Sequence, residues 1–492
     1  MYTWELNKFS YKLYDTLQIS EVLFVPDKIK ENLIKGLSLI LSYELEPDKQ
    51  EVIIKDIDNV DIQESHIKIS HKYKFLEVYI RYLFIGIIGN VLSIIFNIKY
   101  LLFDNHKNKD DIVLIMNSFG HLNRLTILPS IINQNNQTVY IYNNTSPKNV
   151  LNILKSKNSF LLLPSIPAIT VFKSLLKISK NSSKIKFITN NVFSINGEKV
   201  LENKILDYFY NNIIHYYWAK KVLIKFKKRY TNIKYAIFDL DFGGKELFII
   251  NELQQNNIPT YTIQHGMMTD PIPYMPVADY MLCCSEREKN LLINKGIDEK
   301  RLFTYGVPLQ VVDTLKSNNK NQQPQFDILI ISTSGPIWYQ KDIIKLINKI
   351  LPVNGEISIG LRFHPAHSKS EKFLWKNSIS KESVTITSGS LIDNIFNAKK
   401  VICTSIDPMV PLIFYSVPTI YIIKNNLGHY NFLKEFPNVN IISEEDDDLF
   451  LDNFFNKSTI EGVSNTNNTK FVEIIGEPKL EKIINNIRKI LC

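Results

Sequence analysis

The 492-residue sequence is poor in cysteine: Cys283, Cys284, Cys403 and Cys492 form no Cys-x-x-Cys pair and no metal-ligand spacing. A disulfide scaffold and a zinc module are thereby excluded, and thiols kept unpaired in a reducing cytoplasm are expected. Adjacent Cys283 and Cys284 follow an apolar run and read as strand-core residues. Long hydrophobic runs are also lacking. The greasiest stretch, YLFIGIIGNVLSIIF at 82–96, falls short of the ~20 residues of a spanning helix and contains Gly86, Gly89 and Asn90, so it reads as a buried or interfacial helix. The opening MYTWELNKFS lacks the basic-then-apolar layout of a signal peptide, and secretion is not expected. There is no long repeat and no low-complexity tract. Neither sign of charge dominates: 58 Lys and Arg against 49 Asp and Glu leave +9, too diffuse for nucleic acid but suited to phosphate-bearing ligands or an anionic membrane surface.

What is present is the composition of a globular enzyme, 45% apolar and 22% charged. The length exceeds what one core organises, at ~150 residues per unit. Residues 1–108 form an aromatic-rich opening segment, read as a mainly helical extension, that ends in the polar stretch DNHKNKDD. IVLIMNS then runs into the Gly-containing turn of FGHLNRLTILPSII, a strand, turn and helix. TVYIYNN, SFLLLPS, KIKFITN, YAIFDLD and NIPTYTIQHG follow as short strands separated by crossover-length segments, which predicts a parallel sheet covered on both faces. Ser285 to Glu288 fits a capping box for the helix that Gly296 closes. The polar connector KSNNKNQQPQ, 316–325, then separates a second series, FDILIISTSGP, EISIGLRFHPAHS, SVTITS, KKVICTS and VPTIYII.

These series predict an α/β protein of two Rossmann-like lobes with a cleft between them, the first lobe at 109–315 and the second at 316–470. A C-terminal helix at 471–492 packs its apolar side, Leu480, Ile483, Ile484, Ile487 and Ile490, against a lobe. Ligands in such sheets sit beyond the C-terminal strand ends. Three clusters fall there: Gln264-His265-Gly266, Arg362-Phe363-His364-Pro365, and Cys403 to Pro408.

The order of these features resembles that of bacterial capsule and surface-polysaccharide glycosyltransferases and of teichoic-acid glycerophosphotransferases of GT-B fold. It runs from a Gly-turn strand through QHG, the linker Gly306 to Pro308, a Ser/Thr loop and RxHP to a Thr-Ser cluster ahead of Pro418, over about residues 111 to 435. The resemblance implies a GT-B fold, with the nucleotide donor in the second lobe and the acceptor in the first. It assigns the donor phosphate to His364, and Arg362 beside it can clamp phosphate oxygens bidentately. Ser332, Thr333, Ser334 and Gly335 offer amides and hydroxyls to an anion. Thr404 and Ser405 would help bind the nucleotide. Relatives carry an acidic residue seven positions before the proline equivalent to Pro418; this chain has Pro411 there, so Asp407 is a displaced ribose ligand or a helix N-cap.

On the acceptor side, Gly120, His121 and Arg124 resemble an acceptor loop, Gln264 is a further candidate acceptor contact, and His265 is the candidate general base, since an imidazole can take a proton at neutral pH. Asp239 and Asp241 of FDLDFGG, on the same side of a strand end, are open to three readings: a metal pair, acceptor binding or base, and capping. The two-lobed pattern calls for no metal and no other cofactor. In HYYWAKKVLIKFKKRY, 215–230, Tyr216, Tyr217 and Trp218 interleave with lysines, which fits either an anionic membrane surface or a solvated helix face.

The expected function is metal-independent transfer of a sugar from a CMP-, CDP- or UDP-linked donor to a capsule, O-antigen or lipid-linked acceptor. It would take place in the cytoplasm or at the inner face of the membrane. CDP-polyol phosphotransfer uses the same clusters. A nucleotide-sugar 2-epimerase, which should carry carboxylates around the sugar, and a non-enzymatic binding protein on a decayed fold are the alternatives.

Overall fold

The computed structural model describes residues 10, 26–44, 61–63, 80, 112–117, 137–142, 159–162, 186–188, 204–205, 207–209, 211–220, 223–224, 233–238, 244–264, 267–268, 276–307, 324–351, 357–365, 367–379, 384–423, 427–442, 467–477 and 480–491. Packing divides the chain into two compact units, residues 1–265 with 274–282, and residues 266–273 with 283–492. The division runs through a strand, earlier in the chain than the polar connector at 316–325.

The first unit holds helix α1 (Asp27–Glu44) and a small antiparallel pair, β1 (Asp61–Gln63) with β5 (Lys186–Ile188). Its main strands are β2 (Ile112–Asn117), β3 (Gln137–Tyr142), β4 (Ser159–Leu162), β6 (Ile233–Phe238), β7 (Thr260–Ile263) and β8 (Tyr280–Cys283), and α2 (Gly244–Gln254) joins β6 to β7. With β9 (Leu302–Thr304) they form one seven-stranded sheet in the order β4-β3-β2-β6-β7-β8-β9. Its ladders from β4 to β8 are parallel.

The second unit contains α3 (Glu286–Asn294) and then a six-stranded parallel sheet of β10 (Phe326–Ile331), β11 (Ile359–Arg362), β12 (Val384–Ile386), β13 (Ala398–Cys403), β14 (Thr419–Ile422) and β15 (Val439–Ile442). Between them run α4 (Ile337–Ile350), α5 (Lys369–Ser378), α6 (Leu391–Phe396) and α7 (Met409–Phe414); α8 (Asn467–Ile474) and α9 (Leu480–Leu491) follow. The strand order β12-β11-β10-β13-β14-β15 is the doubly wound arrangement, with the chain turning in opposite directions from β10. Both series read from the sequence therefore fold as separate Rossmann-like sheets.

Strand periodicity explains the two-sided core. Leu329 and Ile331 of β10, Val401 and Cys403 of β13 and Tyr421 of β14 pack on one face, and Ile328, Ile330, Ile402, Ile420 and Ile422 pack on the other. Helix α4 covers the second face with Ile343, Ile344, Ile347 and Ile350. The thiols are structural: Cys283, Cys284 and Cys403 are buried and in no disulfide, and burial pushes the Cys403 thiol up to about 12. Cys492 lies outside the described residues.

Two expectations change. Ser285 caps α3 by accepting from the Glu288 amide, but Glu288 does not complete the box; its carboxylate accepts from the Met268 amide at 2.7 Å instead. Tyr216 and Trp218 are buried, Tyr216 edge-on to Phe248 at 5.8 Å, so these rings face the core and not a membrane. The basic run 225–230 and the apolar stretch 82–96 lie outside the described residues, apart from neighbouring Ile80. Among the described residues no helix is long and apolar enough to cross a membrane. Ile483 and Ile487 of α9 are buried, as its spacing predicts.

The same polar device fastens each sheet at the N-terminal ends of its strands, where ladder partners run out. Asp279 Oδ2 accepts from the Thr260 amide and hydroxyl at 2.9 and 2.8 Å, and the Asp279 amide donates back to Thr260 Oγ1. Asp327 and Ser358 repeat the exchange between β10 and β11, with Lys399 on Asp327 Oδ1 at 2.7 Å. The Lys399 bond first, and then those from Ser358, hold the Asp327 carboxyl down to about 2 from 3.8.

A depressed native pKa favours the folded state above the ordinary value and loses that advantage as pH falls through the native one. Asp327→Asn should therefore be less stable than the parent at pH 6, with the gap closing between pH 3.8 and about 2. Denaturant midpoints across that range test this; a constant gap would show that the ionised carboxylate is not the stabilising form.

Candidate functional site

In the second sheet, β11 lies on one side of β10 and β13 on the other, so the loops leaving β10 and β13 diverge and open a crevice at the carboxyl ends of the strands. The segments that end β10, β11 and β13 are Ser332 to Gly335, Arg362 to Pro365, and Thr404 to Asp407. The topology thus brings all three donor-side clusters named from the sequence to one edge of one sheet.

Local hydrogen bonding ties these strand ends together. Buried Ser332 donates its hydroxyl to the Arg362 carbonyl at 3.1 Å and accepts from the His364 amide at 2.9 Å. Thr404 donates its hydroxyl to the Ile331 carbonyl, and Thr333 to the Ser334 carbonyl. The Ser332 and Thr404 hydroxyls tie neighbouring strand ends together and that of Thr333 closes on its own loop; the groups turned outward are amides. In a trans peptide the N–H points opposite to the C=O. With the Thr333 carbonyl held by His367 Nε2 at 2.7 Å and the Ser334 carbonyl by Thr333, the amides of Ser334 and Gly335 face the other way. Among the described residues neither amide has an acceptor. Helix α4 starts just beyond, with no side-chain cap and no acidic residue in its first turn.

Behind the loop lies a buried polar chain. Gln340, fully buried on the core side of α4, donates to the Gly335 carbonyl and to Glu371 Oε1, both at 2.7 Å, and accepts from Trp375 Nε1 at 2.7 Å. Glu371 also closes the capping box of α5 with Ser368. Burial alone would raise the Glu371 pKa, but bonds from Ser368 and Gln340, and His367 nearby, outweigh it and leave the carboxyl below its ordinary range. His367 stacks on Trp375 at 6.2 Å, and its ring stands 5.9 Å from that of His364. A carbonyl can only accept, so His367 Nε2 carries the proton. Its Nδ1 is buried without a partner, a cost on the order of 1–3 kcal/mol.

Arg362 is half-buried at the end of β11. Its Nη1 donates to Asn394 Oδ1 at 2.6 Å and to the Gly389 carbonyl at 3.1 Å, and Asn394 is itself held by the Ser388 carbonyl. Burial lowers the Arg362 pKa and nearby Asp393 raises it, yet among the described residues no carboxylate forms a salt bridge with it. A guanidinium stays charged in such a setting. Its positive charge is oriented by neutral groups, and Asp393 acts on it only from beyond salt-bridge distance.

At the end of β13, exposed Asp407 accepts from the Met267 amide at 3.1 Å, and the N-cap of α7 is Pro408, so Asp407 is not the cap. Met268 is fixed from the other side: its amide donates to Glu288, and its carbonyl accepts from Arg287 at 2.7 Å. Arg287 lies over the Phe432 ring at 3.8 Å.

The acceptor-side residues Gly120, His121, Arg124, Asp239, Asp241 and His265 lie outside the described residues. In sequence the first three follow β2 and the two aspartates follow β6, the pair flanking the corresponding divergence of the first sheet. Gln264 is buried at the end of β7, its amide donating to the Leu282 carbonyl. Sequence reasoning missed Gln340, Trp375, Glu371 and Asn394. For Gln340 a signal existed, a polar residue at the core-facing position three and four before Ile343 and Ile344. Asn394 gave none, because its partner is distant in sequence. Among the described residues no group of three or more His, Cys, Asp and Glu could hold a metal ion.

No family model and no curated protein matches the sequence. Among solved structures, the chain is similar to a UDP-GlcNAc 2-epimerase from Methanocaldococcus jannaschii in complex with UDP-GlcNAc and UDP (14% identity, 77% of this chain and 99% of that one, TM-score 0.48). It is also similar to the glycotransferase of kitacinnamycin (9% identity, 78% and 95%, TM-score 0.44) and to MurG from Acinetobacter baumannii (10% identity, 77% and 95%, TM-score 0.37). At these scores the likenesses add nothing to the fold seen directly in the two sheets.

A double-mutant cycle of Arg362→Met with Asn394→Leu should give a stability coupling of about 1.5–3 kcal/mol, the range of a hydrogen bond to a charged group. Additive effects in chemical denaturation would show that the guanidinium is not held by Asn394.

Proposed function

We propose that the chain is a transferase that binds a nucleotide-activated sugar at the crevice of the second unit and passes the sugar to a surface glycan, a capsule, O-antigen or lipid-linked acceptor. The observation that carries this reading is Arg362: a half-buried cation aligned by neutral partners, beside loop amides without acceptors, where a doubly wound sheet opens. Such a site favours an anion, and the anion suited to a fork and paired amides is a diphosphate. As the donor bond breaks, negative charge grows on the nucleoside diphosphate, and fixed donors stabilise it without reorganising. Arg362 supplies the charge, His364 a second donor, and the amides of Ser334 and Gly335 complete the cradle.

The acceptor hydroxyl must lose a proton during transfer. His265 takes that role in this reading, with Asp239 and Asp241 as rival bases and Gly120, His121, Arg124 and Gln264 on the acceptor side. The basic run 225–230, with Lys225, Lys227, Lys228 and Arg229, would serve a lipid-linked acceptor by contact with the anionic inner face of a membrane.

Thermal shift against CMP, CDP, UDP and GDP tests the donor assignment, because a ligand at 100 times its dissociation constant adds ~2.7 kcal/mol of stability. One of the diphosphates should shift the transition, and His364→Ala should weaken that nucleotide by about 1.5–3 kcal/mol. No shift with any nucleotide, or unchanged affinity in folded His364→Ala, would refute it. Conversion of a UDP-sugar to its 2-epimer without any acceptor would replace transfer by epimerisation.

His265→Ala should lower turnover by ~100-fold or more while nucleotide affinity is kept. Near-normal turnover, or an equal collapse in Asp241→Asn alone, would move the base to the aspartates.

A further inference from the structure

The buried chain behind the Ser332 to Gly335 loop is more elaborate than packing requires. Gln340 occupies a core position of α4, in line with Ile343, Ile344 and Ile347, where an aliphatic side chain would bury apolar surface at no polar cost. Both N–H donors of its carboxamide are used, on the Gly335 carbonyl and Glu371, and its oxygen accepts from Trp375. His367, more than nine-tenths buried, leaves Nδ1 without a partner in order to place Nε2 on the Thr333 carbonyl. The shared result of both arrangements is to draw the carbonyls of Thr333 and Gly335 inward.

We propose that Gln340, Trp375 and His367 are positioning residues for this loop, and that its ability to distinguish a nucleoside diphosphate from the bare nucleoside depends on them. The inference rests on the donor reading above and adds the residues that make the loop a phosphate cradle. With the Thr333 carbonyl held by His367, the Ser334 amide is turned away from the core. With Gly335 held by Gln340, the loop meets Pro336 and α4 in a fixed direction. Trp375 locks the Gln340 carboxamide so that its NH₂ faces Gly335 and not the reverse, and it carries the ring of His367 on its face. Because Glu371 and Ser368 belong to the same chain of bonds, the loop after β10 is braced against the segment carrying Arg362 and His364. The two halves of the cradle are therefore set by one buried support.

The test uses the full chain and two variants. Trp375→Phe keeps an aromatic body and removes the donor to Gln340. His367→Phe keeps a ring against Trp375, removes the orphaned Nδ1 and releases the Thr333 carbonyl, so it carries the test if Trp375→Phe does not fold. Calorimetric titration with CDP, UDP and GDP, the matching nucleosides and inorganic pyrophosphate gives the readout. Each variant should bind the preferred diphosphate, and pyrophosphate, about 5- to 10-fold more weakly, the loss of one hydrogen bond's alignment, with nucleoside affinity unchanged. Equal weakening of nucleoside and diphosphate would mark a general structural role and overturn the proposal. Unchanged diphosphate affinity in both variants, with Arg362→Ala still weakened, would overturn it while leaving the donor reading in place. A parent protein that binds none of these probes would overturn both.

Discussion

A parallel strand that stops inside a protein leaves amide and carbonyl groups with no ladder to join, and the second unit is organised by how those groups are satisfied. At the N-terminal ends a carboxylate and a hydroxyl trade bonds, Asp327 with Ser358, and the first unit repeats the exchange with Asp279 and Thr260. At the C-terminal ends the hydroxyls of Ser332 and Thr404 take the carbonyls of neighbouring strands. With so many carbonyls satisfied from within, amides are what the crevice presents. The polarity of this edge follows from backbone accounting before any charged side chain is considered.

Arg362 adds charge to that polarity without losing it to a partner. Had Asn394 been an aspartate, the guanidinium would sit in an ion pair and any incoming anion would have to compete with a resident carboxylate. A neutral acceptor fixes direction and leaves the field. Asp393, one residue earlier, is spent in the capping turn with Ser390 and is kept from that competition.

The fold class was legible because alternating apolar runs and crossover-length spacers have few solutions other than a doubly wound sheet, and β10, β11, β13 and β14 lie where the apolar runs do. The three strand-end clusters were legible for the same reason, since a strand's end is visible in sequence. Their internal chemistry was not. Ser332, Thr333 and Thr404 read as ligand hydroxyls, yet Ser332 and Thr404 donate to strand-end carbonyls and Thr333 to the carbonyl of the next residue in its loop, partners that sequence does not reveal. Glu288 read as half of a capping box, but a buried amide at Met268 outcompetes the local partner. Tyr216 and Trp218 read equally well as a membrane face and as core, because an aromatic beside a lysine has the same spacing in both; tertiary packing decides.

The second unit is not contiguous in time. Helix α3 is covered by α8, Gly476 at φ +126° leaves no room for a side chain against the Cys284 carbonyl, and Gly306 lies as tightly against Glu477 and Ile483. Part of what closes over α3, helix α8 and the turn at Gly476, therefore comes from far downstream in the chain. At the ~5–20 residues per second of synthesis, α3 waits roughly 10 to 40 seconds after it is made before its cover exists. During that interval the face of α3 that α8 will cover stays open to solvent, so a chain stalled there exposes a surface that the finished fold hides.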